Sequence, residues 1–215
     1  MSATVSFIVP TIGRPTLARS LQSIRRQMYE GDEVLVCGPK VSVPSWCRHL
    51  PCANTPRCYG GPERRLGIAY ASGDYLAFLD DDDIYLPNAR AMMADAAATT
   101  PGRPVVFRMV DFATGDIKWK DLSPEPCLKN GNVGSPMIFI PNDPAKLGRW
   151  TNRYCGDFEF LNSMKWPKYE RRHNSIVFRP EIIALLRPDG GECGHTNAHL
   201  GDVQPDHPAG PEAAV

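Results

Sequence analysis

The sequence predicts an α/β fold, with a Rossmann-like, mostly parallel sheet in its first half and a mixed second half. Two observations carry this. Three short apolar runs, residues 5–9 (VSFIV), 33–37 (EVLVC) and 75–79 (YLAFL), alternate with helical stretches over the first hundred residues. Beyond residue 100 the alternation gives way to hairpin and short-strand signals. The composition, 42% hydrophobic and 22% charged over 215 residues, allows one packed domain with a tail.

Taken in order, the run at 5–9 is β-branched and aromatic and is stopped by Pro10, the pattern of a buried strand. Gly13-Arg14-Pro15 is a loop. Thr16 is placed to cap a helix whose Leu17, Leu21, Ile24 and Met28 recur at three- and four-residue spacing, with Gly31 ending it. Residues 33–37 close a first βαβ unit. The proline- and cysteine-rich stretch 38–59 predicts a loop with short elements at most. Residues 63–71 return to helical character, with Gly73 as C-cap. After the strand at 75–79, Pro87 opens a helix to about residue 98. Residues 105–112 and 116–120 predict a hairpin around Thr114-Gly115, 137–140 a short strand, 157–166 a helix, and 175–178 and 182–186 two late strands.

Charge narrows the function classes. Lys+Arg 24 balances Asp+Glu 24, so no global field holds a polyanion. No apolar run reaches the ~20 residues of a membrane span. The start lacks a basic leader, so the expected location is cytoplasmic. Seven scattered cysteines read as reduced thiols. Cys47, His49, Cys52 and Cys58 form either an irregular loop or a zinc site, their spacing matching no common knuckle.

The chemistry concentrates in Asp80-Asp81-Asp82-Asp83, directly after the third strand. Like charges this close raise one another's pKa unless a cation or donors compensate them. Carboxylates are natural ligands for magnesium and manganese, which take one or two of them together with substrate phosphates. The competing reading is a solvated acidic turn before the next helix.

Residues 67–87 (GIAYASGDYLAFLDDDDIYLP) resemble the central stretch of the family 2 glycosyltransferases: a glycine-bearing helix, a small-Gly-acidic-aromatic turn, an apolar strand and an Asp-x-Asp motif closing on proline. Val5-Ser-Phe-Ile-Val-Pro10-Thr11, followed by Arg14, resembles that family's first strand and nucleotide-binding loop. The resemblance implies a GT-A fold, an inverting transfer, a nucleotide-diphosphate sugar donor with a UDP-sugar favoured, and Mn2+ or Mg2+ as cofactor. It implies one domain over 1–200, with a nucleotide-binding half at 1–100, an acceptor-side half at 101–200 and a flexible tail at 201–215.

Position by position, the resemblance places Pro10, Thr11, Arg14 and Asp81 at the nucleotide, Asp80 toward the ribose or the metal, and Asp82 on the metal with Asp81 or Asp83 in support. The family's second strand commonly ends in an acidic base contact. Here Glu33 begins the strand and Cys37-Gly38 end it. Where the family has Arg-Asn, this chain has Arg64-Arg65, serving the diphosphate or facing solvent. An inverting transfer needs a carboxylate to take the acceptor's proton. Cys155-Gly156-Asp157-Phe158-Glu159 resembles the segment that supplies it, with Asp157 as base and Glu159 as fallback, although Gly156 replaces the usual Glu. Asp157 is otherwise a helix cap.

Several features stay open in the sequence. Trp150 and Trp166 are either a sugar platform or core. The loop 131–136 lines the acceptor cleft or is an ordinary turn. His195 or His199 reaches the metal or diphosphate from a C-terminal loop, or lies in a solvated tail. The basic, aromatic stretch 165–173 is a solvated face or a patch for an anionic acceptor. The acceptor is a glycan, a lipid-linked sugar, a small molecule, a protein or modified nucleic acid. Two other functions fit less well. A nucleotidyltransferase of similar fold normally carries a lysine-bearing glycine loop, where this chain has Pro10-Thr-Ile-Gly-Arg14. A non-catalytic nucleotide- or calcium-binding module would alternate its acids around a glycine.

Overall fold

The structure, a computed structural model, describes residues 2–53, 55–119, 128–166 and 176–189. Its elements run β1 Val5–Pro10, α1 Leu17–Arg25, β2 Glu33–Gly38, β3 Arg48–Pro51, α2 Gly61–Tyr70, β4 Tyr75–Phe78, β5 Ile84–Tyr85, α3 Ala89–Thr99, β6 Val105–Asp111, β7 Ile117–Lys118, a 3-10 turn Ser135–Met137, β8 Ile138–Pro141, α4 Gly156–Asn162 and β9 Val177–Leu186. One sheet of nine strands takes the order β3-β2-β1-β4-β8-β6-β9-β5, with β7 hairpinned onto β6. The β3-β2-β1-β4 half is parallel. β8 runs antiparallel to both neighbours, β6 and β9 are parallel, and β5 is antiparallel to β9. The predicted plan, parallel first half and mixed second half, is the plan observed.

Alternation along β1 sorts the layers. Phe7 meets Tyr85 edge-on at 5.9 Å, on the face where α1 packs against β5. Its neighbour Ile8 points the other way, under α2. There a Cβ on Gly67 would stand 2.5 Å from Ile8 Cγ2, so the glycine sets how closely helix and sheet approach. On that same face Phe78 packs edge-on against Trp150 and Phe160, which stack on each other at 4.8 Å. Away from the acidic run, Asp32 and Arg90 form an ion pair with both side chains essentially inaccessible. Arg90 also donates to the Ala3 carbonyl at 2.6 Å, and the Asp32 carboxylate accepts from the Val5 amide at 2.9 Å.

Several local expectations need correction. β5 interrupts the segment before α3, while β3, four residues long, is one of the short elements allowed for 38–59. Helix α1 stops at Arg25, so Met28 packs on the core from outside it and Gly31 (φ 86°) turns a later loop. Thr16 occupies the N-cap in helical conformation, and its buried hydroxyl makes no capping bond. Helix α2 closes on an extended Ala71, while Gly73 presses against the Ser6 backbone. Helix α4 ends at Asn162, and the two late strands are one strand, β9.

Candidate active site

The parallel strands β1, β2 and β4 end at one edge, with Pro10 opposite Cys37 and Ile8 opposite Phe78. The Thr11 amide donates to the Cys37 carbonyl at 2.9 Å and the Leu79 amide to Ile8 at 3.1 Å, extending the ladder to the acidic run. Gly38 is required beside this edge because a Cβ there would run into the Thr11 carbonyl oxygen. The end of β2 carries no acid. Burial pushes the Cys37 thiol up to about 12, which leaves it protonated. Glu33 sits at the strand's opposite end, accepting from the Ser6 hydroxyl at 2.6 Å and from the Ser72 amide and hydroxyl at 2.6 and 2.8 Å. Burial works against its charge, but those donors outweigh burial and hold its pKa low.

The four aspartates alternate in burial through a turn, which the Asp83 amide closes on the Asp80 carbonyl at 3.1 Å. Asp81 and Asp83 are buried, at 3% and 5% exposure, whereas Asp80 and Asp82 are partly open. Asp81 accepts from the Thr11 hydroxyl at 2.6 Å, the Ile12 amide at 3.1 Å and Arg14 Nη1 at 2.8 Å. Asp83 accepts from the Arg187 amide at 3.1 Å, and Arg187 pairs through its guanidinium with Asp111. Of the outward pair, Asp80 meets Arg64 and Asp82 meets Arg14 at 2.9 Å. Arg19 donates to the Asp82 carbonyl at 3.1 Å and pairs with Asp189. Burial and repulsion from Asp80 raise the Asp82 pKa, with Arg14 opposing; burial, Asp80 and Asp82 raise Asp83 further. Asp82 therefore carries a charge cost that a cation would relieve.

Arg64 is buried, at 3% exposure, over the Trp150 ring at 4.7 Å, and donates to the Tyr59 carbonyl at 2.8 Å. Arg65 donates to the Trp150 carbonyl at 2.7 Å and to Asn152 Oδ1 at 3.0 Å, tying α2 to the loop before α4. Asp157, in the first turn of α4, is half-buried and accepts from the Phe158 amide at 2.7 Å. Burial raises its pKa to about 6; the Phe158 amide and Arg64 pull it down and Asp80 pushes it up. Asp157 thus feels the same two charges that meet at the strand end. Glu159 is engaged otherwise. It accepts from the Thr151 hydroxyl, Arg153 at 3.1 Å and Cys155 Sγ at 3.7 Å, and the Thr151 bond leads in lowering its pKa.

A cavity of about 470 Å³ flanks Arg14, between the loop after β1, the start of α1 and the loop carrying Val41, Pro44 and Trp46. Trp150 and Trp166 belong to the core, at 2% and 6% exposure, rather than to an open platform. In the loop 131–136, Val133, Gly134 and Ser135 are buried, with Gly134 against the Met109 side chain. Among the described residues no three His, Cys, Asp or Glu side chains gather to hold a metal. At Cys47, His49, Cys52 and Cys58, His49 Nε2 lies 3.0 Å from the Pro39 carbonyl oxygen. His195, His199 and residues 167–173 of the basic stretch lie outside the described residues, as does the tail at 201–215. Sequence reasoning missed Arg19, Arg187 and Asp111, which no local pattern ties to the acidic run.

Residues 60–164 match the model of "Glycosyl transferase family 2", a span holding α2, the acidic run and Asp157. An uncharacterized glycosyltransferase of Haemophilus influenzae is 26% identical over 177 residues, 73% of this chain and 60% of its own length. The UDP-Glc:alpha-D-GlcNAc-diphosphoundecaprenol beta-1,3-glucosyltransferase WfgD of Escherichia coli is 33% identical over 97 residues, 41% of this chain and 38% of its own. The crystal structure of S. aureus TarS 1-349 in complex with UDP superposes with a TM-score of 0.60 at 17% identity, over 85% of this chain and 60% of that one. The same protein with UDP-GlcNAc gives 0.59 at 17%, over 85% and 58%. At such identity the likeness shows the fold alone, and this chain spans less than two thirds of each relative's length. Over residues 60–164, 105 of its 215, the chain is similar to glycosyl transferase family 2, and it carries a GT-A-type sheet.

Proposed function

We propose that this chain is a metal-dependent, inverting glycosyltransferase that moves a sugar from a nucleotide-diphosphate donor, a UDP-sugar by preference, to a hydroxyl acceptor. One observation carries the reading. Two outward carboxylates, Asp80 and Asp82, stand at the end of the parallel strands, and the nearby Asp157 has a pKa raised to about 6. The preference for uridine draws on the relatives, TarS being crystallised with UDP and UDP-GlcNAc and WfgD being a UDP-Glc transferase. In this reading residues 1–100 serve the donor and 101–200 the acceptor.

The donor set fits a magnesium or manganese ion. Asp82, whose charge is costly as it stands, offers hard oxygen ligands together with Asp80. Two protein carboxylates with the remaining positions filled by phosphate and water is the usual arrangement for such ions. When bound, the ion offsets the charge that builds on the leaving diphosphate. Arg14 and Arg64, each already paired to an outward aspartate, add positive charge on either side. Asp80 faces the ribose side, and Pro10, Thr11 and Arg14 form the loop against the nucleoside. Asp157 takes the proton from the acceptor hydroxyl as its oxygen attacks the anomeric carbon and the carbon–diphosphate bond breaks, which inverts that centre. A carboxyl with a pKa near 6 is ionised at neutral pH and more basic than a surface aspartate.

The test is nucleoside diphosphate release from a panel of nucleotide sugars with manganese, in wild type and Asp82→Ala. The expected result is metal-dependent release, largest with a UDP-sugar and lost in Asp82→Ala. Turnover indifferent to that substitution defeats the assignment.

A further inference from the structure

We infer that Asp81 is a positioning residue: a buried latch that fixes the loop at residues 11–14 in its donor-ready shape without touching the donor. The inference rests on the donor reading above and moves Asp81 from contact to support.

Both carboxylate oxygens of Asp81 are committed inward. Oδ2 accepts from the Thr11 hydroxyl at 2.6 Å and the Ile12 amide at 3.1 Å, and Oδ1 accepts from Arg14 Nη1 at 2.8 Å. With 3% exposure, the residue has no face to offer a nucleotide. The Thr11 hydroxyl, having donated to Asp81, accepts from the Gly13 amide at 2.9 Å. Gly13 is held at φ 89°, a left-handed conformation that glycine takes readily. One carboxylate thereby sets three consecutive features of the loop: the Thr11 rotamer, the Ile12 amide direction and the turn at Gly13. It also steers Arg14, whose Nη1 reaches Asp82 Oδ2 at 2.9 Å from the same position. Ile12 itself is 52% exposed above the latch.

An aspartate is needed for this. The amide of an asparagine has one acceptor oxygen and one NH2 group, so it cannot accept on both sides. In Asp81→Asn either the Thr11–Ile12 pair or Arg14 meets a donor instead of an acceptor. The side chain keeps its size, so the fold is retained while the loop loosens.

The experiment combines hydrogen–deuterium exchange with donor kinetics. In Asp81→Asn, peptides covering residues 10–16 exchange about tenfold or more faster, the scale of one lost charge-assisted bond, while peptides from β2 and α3 hold their rates. The donor KM rises about tenfold or more with kcat changed less than about threefold, because the loop's order enters on binding. Thr11→Val moves both readouts the same way by a smaller factor. Unchanged exchange at residues 10–16 overturns the latch, as does faster exchange with an unmoved KM. A loss of kcat at constant KM also overturns it and gives Asp81 a part in the chemistry. If wild type turns over no nucleotide sugar, the donor reading fails on that result alone, and the exchange rates still decide whether Asp81 holds the loop.

Discussion

Replacing Asp157 by asparagine separates a catalytic carboxylate from a helix cap, because the two roles predict opposite changes in stability. The folded pKa of Asp157 is about 6 against an ordinary 3.8, so the native state binds this proton more tightly than the unfolded chain does. Between about pH 4 and 6 the unfolded state is the less protonated, and the residue's contribution to stability falls as pH rises. Above pH 6 the full cost of holding the ionised form is present. At 1.36 kcal/mol per unit, the shift of roughly two units corresponds to a cost of about 3 kcal/mol as an upper bound. Asparagine keeps an acceptor for the Phe158 amide and carries no charge to bury. Asp157→Asn therefore gains about 1–3 kcal/mol at pH 7.5 and little at pH 4, measured by urea unfolding without metal or nucleotide. The same substitution removes the proposed base, lowering turnover by roughly a hundredfold or more. In wild type, kcat/KM rises about tenfold between pH 5 and 7 as the carboxylate ionises around pH 6, a limb absent from the variant. A variant less stable at pH 7.5 with turnover intact would refute the reasoning, since that is how a lost cap behaves.

Two further predictions concern the framework. Asp32→Ala strands Arg90 in the interior and costs about 3–5 kcal/mol, read as a lower urea midpoint at pH 7. Gly67→Val drives a side chain into Ile8 Cγ2, where even a Cβ would stand 2.5 Å away, and costs about 1–3 kcal/mol or more by the same measurement. Together with the loss of activity in Asp82→Ala and the loosened loop in Asp81→Asn, these separate residues that hold the edge from those proposed to act at it.

The strands that build the site were legible because each is a fully buried apolar run, as the burial of β1 and β4 along their whole lengths records. β3 escaped because it is an outer strand with one buried residue, Leu50, among Arg48, His49 and Pro51. β5 is two residues long, too short to leave a periodicity. Pro180 concealed the continuity of β9. A proline in mid-strand reads as a break, yet the sheet admits it where Phe178 and Ile182 pair with Val106 and Arg108, leaving three residues of β9 against one of β6. Helix α4 was overextended because Met164 and Trp166 are buried and mimic its period after it has ended.

The acidic run itself shows the boundary between local and tertiary information. Four identical residues carry no internal distinction, and a sequence reading can do no more than treat them as one cluster. What divides them is the turn beyond β4, closed by the Asp83 amide on the Asp80 carbonyl at 3.1 Å, in which Asp81 and Asp83 are buried and Asp80 and Asp82 partly open. The inward pair is affordable because each meets donors from a distant part of the chain: Asp81 from the loop after β1, Asp83 from the end of β9. Those donors lie about 70 and 104 residues away along the chain, so no window on the sequence contains them. The same two contacts bring the loop after β1 and the end of β9 to either side of the outward carboxylates. An alternating sequence such as Asp-Ser-Asp-Ser would keep the proposed metal ligands and lose the ionic hold on both flanks. In the proposed reading the run is long because gripping a donor and assembling the walls around it fall to alternate residues of one turn.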